Sequence, residues 1–445
     1  MASEYDVHIN DRRALPVSHR PLPCDEGRSS ADRYRDSRPS SQEIASALGA
    51  DYLLEGSARI VSGTVKVTVQ LIDGQTDEHL WTEDYDYDFS VEEAIAIQSQ
   101  IAGEVASRLE AIITPEEAQR IAALPTAVPE AFILARRAKH RWNHRTRPDV
   151  EESVRLYQEA IDLDPRFAEA HAGLADAFLV LANWGWMDHR AAYLQGITSA
   201  ERALELDPSI ASAHASLGGL HLWSTRDWTQ AEEHFTTAIE LDPDHAYSHY
   251  WYSVLLSVLG RHGESVEQAG IAEGLDPLAP PIAYGLARSF FMARDYSRSI
   301  EEADRALEIH PEYGNLHSLL CISQIAAGSY ADAETACRRH QRATGVSHSL
   351  NFGILRAYQG DRDGAQEEVR AVLEAGNEDS LQPVIVAMVY AGLGDLDEAM
   401  TWLQRAYDGD YPHLEYLSTH PFFDPLRSDP RFEGLLRGLN LENRP

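Results

Sequence analysis

Ala203-Leu-Glu-Leu-Asp-Pro208 is one of five similar stretches that decide the fold of this 445-residue chain. The others are Ala160-Ile-Asp-Leu-Asp-Pro165, Ala238-Ile-Glu-Leu-Asp-Pro243, Ala272-Glu-Gly-Leu-Asp-Pro277 and Ala306-Leu-Glu-Ile-His-Pro311. The prolines that end these stretches are spaced by 43, 35, 34 and 34 residues. A fixed period of about 34 residues, with helix-forming sequence between the breaks, predicts a stack of helix pairs.

Each repeated position has a physical reason. Proline cannot continue a helix and disfavours helical angles in the residue before it, so each proline separates two helix pairs. The alanine five residues earlier keeps the second helix thin, which allows its neighbour to approach closely. A large residue nine positions after each proline is followed by a small one, which predicts a knob packed beside a gap. These residues are Leu174 with Ala175, Leu217 with Gly218, Tyr252 with Ser253, Leu286 with Ala287 and Leu320 with Cys321.

Less regular copies of the pattern continue to about residue 410. Gly328-Ser-Tyr330, Gly360-Asp-Arg-Asp-Gly364 and Gly394-Asp-Leu-Asp397 each mark a turn that leads into a second helix. We therefore predict a mainly α fold with about eight helix pairs over residues 129–410. The longest interval carries extra residues near Asn183-Trp-Gly-Trp-Met-Asp-His189, and both a contact surface and simple packing over the helix ends are open interpretations.

The remaining segments have different patterns. Residues 1–40 are rich in Arg, Asp, Ser and Pro and lack periodicity, so we predict disorder. Residues 41–113 predict a small, partial α/β domain with a helix on each side of three strands, and alternation over Thr64–Leu71 predicts one buried and one exposed face. Residues 114–128 carry prolines and predict a linker. Residues 411–445 hold apolar residues suited to covering the last helix pair, so we predict a terminal cap.

The composition argues against several classes of partner. The net charge of −33 opposes binding to nucleic acid and to anionic membranes, because both carry negative charge. A basic protein surface suits this charge, and so does a simple role in solubility. No apolar run reaches the roughly 18 residues of a membrane span, and the amino terminus has no signal-peptide stretch. The chain as written is therefore expected in the cytoplasm.

The three cysteines, Cys24, Cys321 and Cys337, form neither a disulfide framework nor a zinc-ligand spacing. Cys321 and Cys337 fall on predicted helices among small apolar neighbours, so we predict buried free thiols. His140 and His144 are four residues apart, which suits two ligands of one metal, but no third ligand has a fixed spacing to them. We therefore predict no metal site and no cofactor.

A histidine lies six residues after four of the repeat prolines. Such a ladder is compatible with a proton sensor, because imidazole titrates near neutral pH. A fixed register in successive repeats is also what a packing position produces, and we favour this structural role. The sequence has no P-loop, dinucleotide motif or nucleophile elbow, so we predict that the chain is not an enzyme. The four histidines are His171, His214, His249 and His317.

The first helices of the pairs are expected to line a concave groove. Positions about four, seven, eleven and fourteen or fifteen residues after each proline should point into this groove. Tyrosine, tryptophan and arginine dominate the energetics of many interfaces, so we predict a protein or peptide partner. Ordinary packing between repeats is an equally open interpretation. The candidate groove residues are Asp176, Trp223, Tyr247, Tyr250, Tyr284, Arg288 and Asn315.

The repeated residues resemble the tetratricopeptide repeat, a family whose antiparallel helix pairs stack into a right-handed superhelix. Leu48-Gly-Ala-Asp-Tyr-Leu-Leu-Glu-Gly-Ser57 and Glu78-His-Leu-Trp-Thr-Glu-Asp-Tyr85 are similar to the second half of the TolB amino-terminal-like domain, also seen in FlgO-like proteins. Arg226-Asp-Trp228 and Asp424-Pro-Leu-Arg-Ser-Asp-Pro-Arg-Phe432 resemble segments of a bacterial group that combines both modules.

In that group, the two modules commonly form the sensory or interaction end of adenylate or guanylate cyclases, serine/threonine kinases or winged-helix regulators. A membrane span often joins the parts, which would place these modules outside the membrane. The present sequence lacks the effector and the front half of the TolB-like domain, as a truncated gene would. We therefore expect a non-enzymatic signalling scaffold whose groove binds a peptide or protein. The alternative is a detached regulatory module of such an enzyme or regulator.

Overall fold

The computed structural model describes residues 11–15, 40–48, 50–61, 64–88, 91–109, 125–345, 348–374, 382–411 and 413–442. The chain divides into two compact units. The first unit contains residues 1–173 and 276–278, and the second contains residues 174–275 and 279–445. The fold is mainly α with a small sheet near the amino terminus, which confirms the predicted class. In the described part of the chain, no helix has the length and hydropathy that a bilayer crossing requires.

The small sheet is antiparallel and has the strand order β1-β2-β3-β4. Leu71 and Ile72 are neighbours on β3 and therefore point to opposite faces. Leu71 belongs to a buried cluster with Val105 of α2, whereas Ile72 belongs to a second cluster with Ile44 of α1. Both faces thus bury apolar side chains, although alternation predicts an exposed one. The elements are β1 (Asp11–Leu15), α1 (Ser41–Leu48), β2 (Tyr52–Val61), β3 (Thr64–Asp73), β4 (His79–Asp88) and α2 (Val91–Arg108).

The prediction of disorder for residues 1–40 does not hold for Asp11–Leu15. These residues form β1, which pairs antiparallel with β2 and places Arg13 opposite Leu54. The physical reason is that a three-stranded sheet would leave one edge of β2 unpaired, and such an edge is a template for a further strand. Residues 1–10 and 16–39 of this segment lie outside the described residues, as do residues 110–124, which include most of the predicted linker.

Within the described residues, eight helix pairs follow, which agrees with the predicted number of about eight. They are α3 (Pro129–Asn143) with α4 (Arg147–Leu163), α5 (Ala168–Asn183) with α6 (His189–Leu206), α7 (Ala211–Leu220) with α8 (Trp228–Leu241), α9 (Ala246–Val258) with α10 (His262–Leu275), α11 (Pro280–Met292) with α12 (Tyr296–Ile309), α13 (Gly314–Ala326) with α14 (Tyr330–Thr344), α15 (Leu350–Tyr358) with α16 (Arg362–Glu374), and α17 (Gln382–Gly392) with α18 (Leu396–Asp408). A π-helical turn, His221–Thr225, extends α7. In the loop between α5 and α6, the rings of Trp184 and Trp186 lie 4.6 Å apart.

The repeat prolines lie just beyond the second helix of a pair, as predicted. Helix α4 ends at Leu163, and the backbone N–H of Asp164 donates to the carbonyl of Ala160 before Pro165. The equivalent bond closes α6, α8 and α12. The alanines that begin the five repeated stretches are all buried. This burial confirms that the second helices are thin where their neighbours approach.

The histidine ladder has a structural role. The Nε2 atom of His249 lies 2.9 Å from the carbonyl oxygen of Pro243. His317, His171 and His214 make the same contact with the proline of their own repeats, at 2.7, 3.2 and 3.3 Å. An Nε2–H that donates to this carbonyl ties the first helix of a pair to the turn before it. The structure therefore confirms the packing interpretation of the ladder.

Gly218 is the small residue that follows the large residue Leu217, and it leaves little space for a side chain. A Cβ atom there would lie 2.7 Å from the Phe235 ring, whereas a Cβ atom at Gly270 on α10 would meet nothing within 4 Å. We expect Gly218→Ala to lower the free energy of unfolding by about 1 kcal/mol, because overpacking outweighs the gain in helix propensity. Gly270→Ala should raise it by about 0.5–1 kcal/mol. Urea unfolding followed by circular dichroism measures both changes, and changes of the same sign would contradict the packing described.

The prediction of free thiols at Cys321 and Cys337 is wrong. The two sulfur atoms form a disulfide, and the Cα atoms lie 5.2 Å apart. Cys321 occupies the small position of α13, and Cys337 lies on α14, the second helix of the same pair. Both side chains are buried where the two helices meet. The spacing in the sequence does not reveal this bond, because the register between two packed helices brings the residues together.

The chain ends in an irregular segment, residues 413–442, termed the tail. It contains two 3₁₀ turns, Leu414–Tyr416 and Pro421–Leu426, and the short helix α19 (Pro430–Gly438). Phe432 on α19 is fully buried. The tail contacts α17 and α18, the last helix pair. It also contacts earlier pairs of the second unit, and these contacts form the candidate site.

Candidate functional site

The tail lies on the inner wall of the second unit, which is formed by the first helices α7, α9, α11, α13, α15 and α17. The Trp223 ring, on the π-helical turn after α7, lies 5.3 Å from the His413 ring and 5.9 Å from the Tyr416 ring. Arg288 of α11 donates from Nη1 to the Tyr416 hydroxyl at 3.0 Å. The tail of the same chain therefore covers part of the surface that the sequence predicts as a groove.

The Arg226-Asp-Trp228 motif holds both ends of the tail. Arg226 has a left-handed backbone conformation, with φ of 52°, at the turn between α7 and α8. Its Nε donates to Glu415 at 3.1 Å, and its Nη1 donates to Asp410, just before the tail, at 2.8 Å. Trp228 donates from Nε1 to the carbonyl oxygen of Asn440 at 3.0 Å. The motif thus contacts residues near the beginning and the end of the tail.

A second anchor joins Arg294 to Asp424. Arg294 lies at the turn after α11, which corresponds to the position of Arg226 after α7. Its Nη1 and Nη2 donate to the two carboxylate oxygens of Asp424 at 2.6 and 2.8 Å. Such a bidentate pair fixes the orientation of both groups. The Ser418 hydroxyl also donates to the carbonyl of Val258, at the end of α9, at 3.3 Å.

Phe422 packs between two helices of the inner wall. Its ring lies 6.1 Å from the Phe291 ring on α11 and 5.2 Å from the Tyr358 ring on α15. Only 2% of Phe422 is exposed. The His420 ring lies 5.3 Å from Phe291, and burial lowers the pKa of His420 to about 3. This imidazole is neutral at pH 7, so it packs as an uncharged ring.

Burial controls the charges where the tail begins. It raises the pKa of the Glu415 carboxyl, and the nearby Arg226 opposes that shift. Burial also lowers the pKa of Arg226, but Glu415 and Asp410 outweigh this effect, and the resulting pKa is raised. The pKa of His413 falls to about 4, first because of burial and then because of the positive charge of Arg288. The first anchor, which joins Arg226 to Glu415 and Asp410, therefore includes one carboxyl that is fully buried and one that is 33% exposed.

The seven predicted groove residues occupy two kinds of position. The Tyr250 ring packs against Gly285 of α11, and the Tyr247 ring meets Tyr250 edge-on at 6.1 Å, so both contribute to helix packing. Asp176 accepts a hydrogen bond from the Ser216 hydroxyl of α7. The other four line the inner wall or a cavity beneath the tail. These four are Trp223, Tyr284, Arg288 and Asn315.

Sequence reasoning missed the residues that hold the tail, among them Arg294, Glu415 and Phe422. A signal was present, because the Arg226-Asp-Trp228 motif and the Asp424–Phe432 segment both belong to the same resemblance. Arg226 of the first motif belongs to the first anchor, and Asp424 of the second motif belongs to the second anchor. The contacts between each motif and its partner residues depend on how the helix pairs stack, which neither motif encodes.

The helix pairs, five of which end at a buried alanine stretch and a proline stop, define a helical-repeat protein, a class that generally serves as a protein-interaction scaffold. The profile of the tetratricopeptide repeat matches residues 143–184, 217–280, 259–314, 284–347 and 350–413, which together cover more than half of the chain. The chain belongs to the tetratricopeptide repeat family. The similarity of residues 41–113 to the TolB amino-terminal-like domain stays a prediction.

A curated relative is putative adenylate cyclase 3 from Rhizobium meliloti (strain 1021), which is 30% identical over 148 residues. The match covers 33% of this chain and 25% of that protein, so the chain spans about a quarter of its relative's length. Among solved structures, the human IFIT1 dimer with m7Gppp-AAAA is 14% identical, with a TM-score of 0.46 over 71% of this chain and 77% of that one. A tetratricopeptide repeat protein from Parabacteroides merdae is 13% identical, with a TM-score of 0.40 over 58% and 98% of the two chains.

Proposed function

We propose that the chain is a non-enzymatic interaction module whose inner wall binds a segment of a protein partner in place of its own tail. The observation that carries this proposal is the tail, an irregular polypeptide segment that the inner wall holds. Trp228 contacts a backbone carbonyl of the tail, which any polypeptide offers. A wall that holds one such segment in cis has the donors and the apolar surface to hold another in trans. Because the helix pairs are preformed, the wall loses little ordering entropy on binding.

The inner wall favours a segment with acidic and aromatic residues. Three arginines, Arg226, Arg288 and Arg294, contact the tail, although the chain as a whole carries a net charge of −33. Their partners are carboxylates and the Tyr416 hydroxyl. The local charge of the wall is therefore opposite to that of the chain. A basic partner, which composition alone favours, does not suit this wall.

A peptide with the sequence of residues 410–442 tests whether the wall binds in trans. Phe422→Asp in the full chain places a charge at a buried ring position, which should release the tail. We expect this variant to bind the fluorescein-labelled wild-type peptide at least tenfold more tightly than the wild-type chain does, because the wild-type wall is occupied. Fluorescence anisotropy measures both affinities. Equal affinities would overturn the proposal.

Two further variants control for charge. Arg294→Gln, added to Phe422→Asp, removes the partner of Asp424 in the peptide and should weaken binding by about tenfold. Arg202→Gln on α6 removes the same charge from an exposed pair and should leave the affinity unchanged. Proteins that the Phe422→Asp chain captures from a lysate of the source organism, and that the Arg294→Gln double variant does not, are then the candidate partners.

A second candidate function is regulation of a nucleotide cyclase, a kinase or a winged-helix regulator. The 30% identity to a putative adenylate cyclase over 148 residues favours this role. The genomic DNA upstream of Met1 tests it. An in-phase reading frame that encodes such an effector, expressed as one protein with this chain, would support regulation and would decide on which side of a membrane the module lies. An in-phase stop codon directly upstream would exclude a fused effector.

A further inference from the structure

A cavity of about 230 Å³ lies between the tail and the first helices α11, α13, α15 and α17. His413, Tyr416 and Phe422 of the tail form one side of it. An apolar cavity of about 150 Å³ accommodates benzene, so this cavity has room for a molecule of roughly ten non-hydrogen atoms. It is therefore suited to a small metabolite and too small for a folded segment of another protein.

Arg288 faces this cavity as a cation without a matching anion. Its Nη1 donates to Tyr416, and the guanidinium also interacts with the Tyr284 hydroxyl, but Nε and Nη2 are buried and no described residue accepts a hydrogen bond from either. The guanidinium carbon lies 5.4 Å from the Tyr284 ring and 5.7 Å from the Tyr416 ring, which offsets only part of the lost hydration. Among the described residues, Arg288 has no carboxylate partner, and the polar groups that it interacts with are the hydroxyls of tyrosines. An anion that accepts from the free N–H groups would stabilise this arginine.

Ser318 and Asn351 supply neutral polar groups beside Arg288. The Nδ2 of Asn351 donates to the Ser318 oxygen at 2.8 Å, which leaves the Ser318 proton available to a ligand. The imidazoles of His413 and His420 are neutral at pH 7, because burial holds their pKa values at about 4 and about 3. The residues that line the cavity therefore carry a single positive charge, which matches one carboxylate better than a doubly charged phosphate.

Apart from Asn315 and Tyr284, the rest of the lining is apolar. These side chains come from four helices of the inner wall and offer no acceptor or donor to a second polar group of a ligand. They include Phe291, Leu319, Ile322, Ile354, Val384 and Met388. A ligand that fills the cavity must therefore combine one anionic end with an apolar body.

We propose that this cavity binds a small organic monocarboxylate with an apolar body. The carboxylate would accept hydrogen bonds from Arg288 and Ser318, and the apolar body would lie against α15 and α17. This small-molecule site goes beyond the proposed protein-binding function and does not depend on it. It gives the protein a ligand of a different chemical class, held at the surface where the tail meets the wall.

Isothermal titration calorimetry of the full chain with 3-phenylpropanoate and 4-methylpentanoate tests the proposal. We expect one of the two carboxylates to bind at one site per chain. The matched neutral amide should bind at least tenfold more weakly, because it lacks the charge that Arg288 recognises. Acetate, which lacks the apolar body, should also bind at least tenfold more weakly. Absence of binding by both carboxylates, or equal affinity for the amide or for acetate, would overturn the proposal.

Variants of the lining identify the site. Arg288→Gln should weaken the bound carboxylate at least tenfold, and Ser318→Ala should weaken it about threefold or more. Arg202→Gln, outside the cavity, should leave the affinity unchanged. Unchanged affinity in Arg288→Gln would overturn the assignment. If circular dichroism shows that Arg288→Gln does not fold, Ser318→Ala decides the question, and unchanged affinity in that variant would then overturn it.

Discussion

Arg226→Met should lower the free energy of unfolding by about 3–5 kcal/mol, the loss expected when one partner of a buried ion pair is removed. The Glu415 side chain is 0% exposed and that of Arg226 is 14% exposed, so the variant leaves a carboxylate without a counter-charge where water does not reach. Asp410 loses the same partner. Chemical denaturation of the full chain, followed by circular dichroism, measures the change.

This loss should depend on pH in a defined direction. Burial raises the pKa of Glu415, and removal of Arg226 raises it further, because Arg226 opposes the effect of burial. An acid whose pKa is higher in the folded state favours folding while it is protonated. It loses that contribution as the pH rises from its ordinary value of 4.5 through its folded pKa. The deficit of Arg226→Met should therefore be small at pH values near 4.5 and should grow as the pH rises through the folded pKa of Glu415.

The double variant Arg226→Met with Glu415→Gln isolates the interaction. It removes both charges, so it should recover about 2 kcal/mol of the loss caused by Arg226→Met alone. Arg202→Gln is the matched control, since Arg202 and Glu205 form an exposed pair whose loss should cost less than about 0.5 kcal/mol. If Arg226→Met destabilises the chain no more than Arg202→Gln does, the first anchor contributes nothing to stability.

Phe422→Ala should lower the free energy of unfolding by about 3–5 kcal/mol, because it removes a ring with only 2% exposure from a packed site. The lost contacts are those with Phe291 and Tyr358, which join the tail to α11 and α15. Since these helices belong to the wall rather than to the tail, the variant should also loosen the tail. Hydrogen exchange measured by mass spectrometry should show at least tenfold faster exchange of amides in residues 413–442.

Leu194→Ala provides the control for a large-to-small substitution. Leu194 lies on α6 and is 68% exposed, so the expected change is within about 0.5 kcal/mol. If Phe422→Ala leaves the tail amides protected, the arginine anchors alone hold the tail. If the tail amides lose protection in Phe422→Ala and keep it in Leu194→Ala, aromatic packing at Phe422 holds the tail in place.

The tail changes the contact pattern of the array. In a simple repeat protein each unit contacts only its neighbours, so stability is a sum of local terms. Here Arg226 and Glu415 are 189 residues apart in sequence, and Trp228 and Asn440 are 212 apart. Contacts of this range couple distant helix pairs. The tail is therefore expected to make the second unit unfold more cooperatively than its repeats alone would.

The sequence by itself determines the helix pairs of this protein. The stop before Pro165, the buried alanine at position 160 and the bond from His249 to Pro243 each involve residues of a single repeat of about 34 residues. Such features depend on backbone stereochemistry and on the packing of neighbouring helices, so the spacing of residues is sufficient to predict them. Part of the groove, including Trp223 and Arg288, follows from the same spacing.

Only the tertiary structure decides where the tail lies and what it encloses. The ion pair of Arg226 with Glu415, the disulfide between Cys321 and Cys337, and the cavity at Arg288 each need elements placed by stacking or by helix register. Each helix pair adds a small rotation to the one before, and these rotations accumulate over many residues. The residue pattern of one repeat determines the rotation between two neighbouring helix pairs only approximately. The meeting of residues more than a hundred positions apart is therefore a property of the assembled stack.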